Sequence, residues 1–329
     1  MVGRHFEVEG SGAARATSAA GASLAADPEE KPVAGRSVES AGLMPLSWLR
    51  RIPALMLAIA IGSFVSFAVI LFFVQRGMIY FPRHYEPSYA RGLPPRTLEV
   101  VYQTTNGRQV AFYIPPRMAA PADSQLWVVF SGNASVGLDW LDFVEEFPST
   151  NTAFLLVDYP GYGLCEGRPS ARGIRENVRR VMGALEAMAD GPGEAFRGRV
   201  HALGYSIGAS AALEFATMHE TGRVVLIAPY TSLLAMARRT VGWPLCHLLL
   251  DRFDNVARMR ELAGRRSHPA VHIFHGTADQ VVPFAMGREV AAAGSPEKTW
   301  FHEVRGGDHD TVFHLAKPEI VQIMAAPNP

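Results

Sequence analysis

The sequence predicts an α/β protein, a mostly parallel eight-stranded sheet with helices on both faces, preceded by one transmembrane helix. Three observations lead there. From residue 97 onward, short apolar runs alternate with longer helical stretches, the rhythm of parallel strands joined by crossover helices. Between the first two runs lies Asn106-Gly107, a strong two-residue hairpin signal, so the sheet should begin with an antiparallel pair. Upstream, residues 52–74 form 23 consecutive positions without a charge, enough for the roughly 20 residues that a membrane-spanning helix needs.

Taken in order, residues 1–42 are dominated by Ala, Gly, Ser, Glu and Arg. Such a segment buries too little apolar surface to offset the entropy of ordering, and the tail to residue 51 is expected to be disordered. Within it Met44 opens MPLSWLRR and reads as a natural start. In 52–74, fourteen residues are Ile, Leu, Val or Phe, each favouring insertion by roughly 0.3–0.6 kcal/mol, which outweighs Pro53, Gly62 and two serines. A cleaved signal peptide has an apolar region of only about 7–15 residues and a small-residue cleavage site, which SFAVILFFVQR lacks, so an uncleaved anchor is expected. Arginines flank both ends almost equally. The pair Arg50-Arg51 directly beside the span favours the tail inside and the large domain outside, in an extracytoplasmic location. Residues 75–96 read as a linker whose Tyr80, Phe81, Tyr85 and Tyr89 would either lie at the lipid headgroups or pack the domain edge, the first being favoured for Tyr80 and Phe81, which are nearest the span.

The domain proper is 97–329, with strands expected at 98–104, 110–114, 126–131, 153–159, 200–203, 224–228, 271–275 and 299–304. Helices are expected at 170–189, 209–218 and 311–324, where Ala, Leu and Met accumulate. The stretch 230–268 is the most apolar of this domain. It reads equally well as a cap over the site and as ordinary helices on the sheet.

Thirty-one basic and 31 acidic residues give a net charge of zero, with no basic stripe to suggest a nucleic-acid partner. The two cysteines, Cys165 and Cys246, are too few for a disulfide framework, and no Cys/His spacing suits zinc. One disulfide between them or two buried thiols both fit. The sequence carries no signal of oligomeric state.

Chemistry concentrates in GYSIG, residues 204–208, a GxSxG pattern with an apolar run before it and a helical run after it. A strained strand-to-helix turn would expose the Ser206 hydroxyl, and the flanking glycines would let strand and helix approach closely. A serine needs a base, the base an orienting acid, and the oxyanion fixed donors. Asp279, in HGTADQVVPF after the seventh strand, and His309, in RGGDHDTVF after the eighth, supply acid and base from loops at the sheet's carboxyl edge, where open α/β sheets place ligands. Asp158 is the rival acid, but it precedes Ser206 in the chain. Asp308 and Asp310 read as solvated or capping residues, Asp310 at the helix starting near Thr311. His275 reads as ordering its own loop, His201 and His302 as strand residues, and His314 as a helix-face residue. Backbone N–H groups of Ile207 and of Asn133, in SGNAS after the third strand, would form the oxyanion hole.

With MIYFP after the span, SGNAS, DYPGYG followed by Pro169-Ser170, GYSIG, RFDN at 252–255, HGTADQVVPF and GDHDTVF in this order, residues 76–317 resemble the membrane-anchored branch of the α/β-hydrolase superfamily, the serine hydrolases related to the Bem and ABHD proteins. The resemblance implies a triad of Ser206, Asp279 and His309, no cofactor, and cleavage of an ester, thioester or amide. Two positions depart from the family pattern. Ser131 replaces the usual His before Gly-Asn, and Cys165 the usual Ser after the DYPGYG loop, a change expected to alter one local hydrogen bond. The expected partners are the bilayer and a small-molecule or acylated, lipid-like substrate. The rivals are a peptidase or amidase on the same triad and a membrane-tethered scaffold that leaves the site unused.

Overall fold

The structure, a computed structural model, describes residues 46–118, 124–189, 192 and 195–327. The tail to residue 45, including Met44, lies outside the described residues. Two compact units divide the chain after Met56. Of the first, the described part is the start of a single helix, α1 (Leu46–Ile79). Its segment Arg51–Ile79 is long and apolar enough to cross a membrane, with a mean hydropathy of 2.7.

Among the described residues the second unit holds eight strands: β1 (Leu98–Thr104), β2 (Gly107–Ile114), β3 (Gln125–Phe130), β4 (Thr152–Val157), β5 (Val200–Tyr205), β6 (Arg223–Ile227), β7 (Ala270–Gly276) and β8 (Thr299–Val304). They form one sheet in the order β1-β2-β4-β3-β5-β6-β7-β8. Only β2 runs antiparallel to its neighbours; the other pairs are parallel. The hairpin forms as expected, although Thr104 pairs with Gly107, so Thr105-Asn106 make the turn and Gly107, at φ 95°, opens β2. From β3 the chain steps one way to β4 and then back across to β5. The carboxyl ends of β3 and β5 therefore flank the crevice where such sheets bind ligands.

Helices cover both faces: α2 (Leu141–Glu146), α3 (Ala171–Glu186), α4 (Ile207–Met218), α5 (Leu233–Val241), α6 (Asn255–Ala263), α7 (Phe284–Ala292) and α8 (Val312–Ala325). One core cluster includes Val128 and Leu155 from the sheet with Val178 and Val181 of α3, Phe215 of α4 and Met259 of α6. The other, on the opposite face, joins Trp127 and Leu156 to Phe143 of α2 and Ile320 of α8. In α3, Ile174, Val178, Val181 and Leu185 recur at helical spacing and are buried, while the N-cap Ser170 accepts the Gly173 N–H at 3.0 Å. Asp308, not Asp310, secures the start of α8. Its Oδ1 accepts the N–H groups of Asp310 and Thr311, at 3.1 and 2.8 Å, and so closes the turn that leads into the helix.

Two expectations need correction. Residues 75–96 are not a free linker: α1 runs through Ile79, and Tyr80 is 3% exposed within the core rather than at a lipid interface. Tyr85 donates to Asp158 at 2.7 Å and Tyr89 to Glu99 at 2.6 Å, so the aromatics fasten this stretch to the sheet. The apolar stretch 230–268 also divides. Here α5 and the short 3-10 turn Leu245–Leu248 overhang the site, whereas α6 buries Val256, Met259 and Leu262 as an ordinary flanking helix.

Candidate active site

Ser206 stands between β5 and α4 at φ 54°, ψ −114°, a strained conformation for a residue with a side chain. The neighbouring glycines make this possible by close approach. A Cβ on Gly204 would lie 2.2 Å from the Gly208 carbonyl oxygen, and one on Gly208 would lie 2.1 Å from that of Phe130. Any larger residue would push α4 off β3 and β5. The Ser206 N–H is pinned to the Ile227 carbonyl at 2.8 Å, and its side chain caps nothing, which leaves the hydroxyl free to face the crevice.

The His309 Nε2 lies 3.0 Å from Ser206 Oγ, and its Nδ1 lies 2.8 Å from Asp279 Oδ2. In the tautomer that satisfies both, Nδ1–H donates to the carboxylate and Nε2 accepts from the hydroxyl. Three loops, after β5, β7 and β8, thus bring together the three residues that the sequence singles out.

Asp279 is 7% exposed. Burial pushes its pKa upward, but hydrogen bonds from His275, His309 and the Val282 N–H outweigh that and hold the carboxyl well below the usual range. Its Oδ1 also accepts the N–H of Val281 at 2.9 Å. His275, fully buried, contacts Asp279 Oδ2 at 3.5 Å and the Val282 carbonyl at 2.9 Å, so it orders its own loop as expected.

Tyr205 is a residue that the motif hides, because GxSxG leaves that position open. Its ring stacks on His309 with centroids 5.7 Å apart, and its hydroxyl donates to the His309 carbonyl. The His309 ring therefore has a second support besides Asp279.

Asn133 and Ile207 line the same cavity as Ser206. Ile207 is the first residue of α4, where N–H groups have no intrahelical acceptor. The Asn133 side chain is fully engaged: Oδ1 accepts from the Phe81 N–H at 3.0 Å and the Tyr162 hydroxyl at 2.8 Å, and Nδ2 donates to the Ile79 carbonyl at 2.7 Å. Ser131 accepts from Trp140 Nε1 at 3.2 Å, and its carbonyl accepts from Tyr159 at 2.7 Å, so the loop after β3 is held from below without a histidine. Cys165 and Cys246 are both buried and free. The Cys165 sulfur bonds the Val110 N–H and carbonyl at 3.3 and 3.4 Å, the local substitution expected, and burial pushes its thiol up to about 12.

The other candidates lie elsewhere. Asp158 is buried, accepts from the Gly137 N–H and Tyr85, and is raised to about 6 by desolvation. His201 accepts the Arg223 N–H under the sheet, and burial lowers it to about 3. His302 contacts Glu319 and His272, and His314 faces solvent on α8.

The cavity above Ser206 measures about 290 Å³, near the lower end of the roughly 300–1,000 Å³ range for small-molecule sites. Its lining is predominantly apolar. Among the described residues no cluster of three or more His, Cys, Asp or Glu is arranged to hold a metal.

No protein-family profile matches the chain. The uncharacterized protein Rv2307c of Mycobacterium tuberculosis is 30% identical over 260 residues, which cover 78% of this chain and 87% of that one. Human alpha/beta hydrolase domain-containing protein 17B is 28% identical over 137 residues, 42% of this chain and 43% of its own. Among solved structures, the Pyrococcus furiosus esterase Pf2001 superposes with a TM-score of 0.56 at 14% identity, over 74% of this chain and 95% of that one. The propionate-bound esterase Est2 of Thermogutta terrifontis gives 0.52 at 18% identity, over 71% and 97%.

Proposed function

Because this chain belongs to the α/β-hydrolase superfamily, we propose that it is a membrane-anchored serine hydrolase that cleaves an acyl ester or thioester. The observation that carries the reading is the unbroken relay from Ser206 Oγ through His309 to a buried Asp279, at 3.0 and 2.8 Å, opening into an apolar cavity. His309 Nε2 takes the Ser206 proton as Oγ bonds to the substrate carbonyl carbon. The resulting oxyanion is held by the backbone N–H groups of Ile207 and Asn133, each such donor being worth about 10²–10³ in rate. As the tetrahedral intermediate collapses, His309 gives its proton to the departing alkoxide or thiolate, and an acyl-serine remains. A water molecule then loses a proton to His309, attacks the acyl carbon, and releases the carboxylic acid as Ser206 recovers its proton. Asp279 keeps the imidazole oriented and stabilises its charged form throughout.

The span Arg51–Ile79 supports the anchor, with the domain on the extracytoplasmic side; protection of the domain from protease in intact cells would overturn that orientation. The wild-type full chain in detergent should react with a fluorophosphonate probe and hydrolyse acyl esters, and Ser206→Ala should do neither, with turnover down by about 10⁴-fold or more. A folded wild-type chain that stays unlabelled would support the scaffold instead, and faster turnover of peptide amides than of esters would support the peptidase.

A further inference from the structure

Part of the wall around the Ser206 cavity comes from α1. Leu71, Gln75, Met78 and Ile79 line it, at positions i, i+4, i+7 and i+8 and therefore on one face of the helix. Leu71 and Gln75 are buried, at 8% and 5% exposure, whereas Phe73 between them is 78% exposed. The buried face is bolted to the rest of the unit. Gln75 donates to the Leu248 carbonyl at 3.2 Å and accepts the Leu250 N–H at 2.7 Å. Arg76 pairs with the buried Asp251 at 2.9 Å, and Asn133, beside Ser206, holds the Ile79 carbonyl.

Met236, Val241 and Leu248 also line the cavity. The lining carries no charged side chain, and the Gln75 amide is taken up by backbone partners, so nothing on this wall is suited to a polar head group. An alkyl chain is the occupant whose burial such a lining favours.

The same helix is clad in outward-facing apolar side chains through residues 57–70, immediately before Leu71. On the overhanging segment, Trp243, 75% exposed, and Leu250, 49% exposed, also present apolar side chains outward. An aromatic there is what a membrane interface selects.

We propose that α1 is a specificity-determining wall of the acyl pocket, and that the substrate is a membrane-resident fatty acyl ester or thioester whose chain lies against Leu71 and Met78. This rests on the reading of Ser206 as the acyl-accepting nucleophile. The chain passes from the lipid around α1 into the cavity along one continuous apolar face, without crossing water.

The test compares p-nitrophenyl acetate with p-nitrophenyl laurate on the full chain in detergent, for wild type, Leu71→Trp, and Phe73→Trp, which puts the same side chain on the outward face. Leu71→Trp should lower the laurate-to-acetate ratio of kcat/KM by about tenfold or more, while Phe73→Trp leaves it at the wild-type value. A ratio unchanged in Leu71→Trp, in protein that still labels with fluorophosphonate, overturns the proposal; so does an equal drop in Phe73→Trp. If Leu71→Trp fails to label, Leu71→Ala and Met78→Ala decide, because widening the wall should move the preferred chain towards longer acyl groups and an unmoved profile counts against it. A wild-type chain that turns over neither ester removes the hydrolase reading itself, an outcome distinct from an active enzyme indifferent to α1.

Discussion

At Ser206 the backbone holds a conformation that costs of order 1–3 kcal/mol for a residue with a Cβ. Glycine tolerates it. Ser206→Gly is therefore expected to raise the unfolding free energy by about 1 kcal/mol while abolishing turnover, measured by denaturant titration in detergent beside an ester assay. Destabilisation by the glycine would show that the residue is not strained. For Asp279, replacement by Asn should lower kcat by about 10⁴-fold, because an amide in place of the carboxylate favours the wrong imidazole tautomer. A loss below about tenfold would mean that His309 is oriented chiefly by Tyr205. Ser206, Asp279 and His309 were legible because each follows a strand in a short local pattern. The part played by Tyr205 was not, since a stacking contact across 104 residues leaves no trace in spacing. Nor was the choice of Asp308 over Asp310, which depends on how one turn is wound.

Among the elements, the packing of α4 against β3 is the tightest constraint. Gly208→Ala would place a Cβ 2.1 Å from a main-chain oxygen that cannot move without its strand. Overpacking of this kind costs typically 1–3 kcal/mol, so a lower melting temperature and loss of probe labelling are expected together. The segment after α1 is tied to β4 through Tyr85 and Asp158, whose carboxyl is raised to about 6 in the fold. A raised carboxyl contributes stability that is complete below its unfolded value, near 3.8, and fades as pH climbs through 6. The stability advantage of wild type over Asp158→Asn should thus be greatest in acid and shrink across that window in denaturant titrations; a growing advantage would reverse the assigned shift. Strand positions could be read closely from the sequence, since each is a short apolar run bounded by Gly, Pro or Asn. Where α1 ends could not. Gln75 and Arg76 look like the polar close of a span, and only tertiary partners for both, 173 to 175 residues away, carry the helix on to Ile79.

On the scale of the whole molecule, α1 belongs to the fold as much as to any membrane. Truncation to residue 70 should yield a catalytic unit that stays monodisperse by size-exclusion chromatography. Removal through Ile79 should expose the apolar cavity and leave Leu248 and Leu250 without hydrogen-bond partners, so that the product aggregates. Equal behaviour of the two would show that the last turns of α1 contribute nothing. The sheet and the placing of the site at its carboxyl edge were legible in the succession of apolar runs and motifs, whereas the β3–β5 crevice and the shared wall needed coordinates, because hydropathy cannot tell a side chain that meets lipid from one that meets a neighbouring helix. The Gln75 and Arg76 attachments have a mechanical consequence. They tie the last turns of α1 to the segment that overhangs the site, so the serine should hold a set height and heading relative to that part of the helix. On the proposed anchoring, an enzyme mounted in this way is expected to favour acyl substrates lodged in its own leaflet over those presented on a facing membrane.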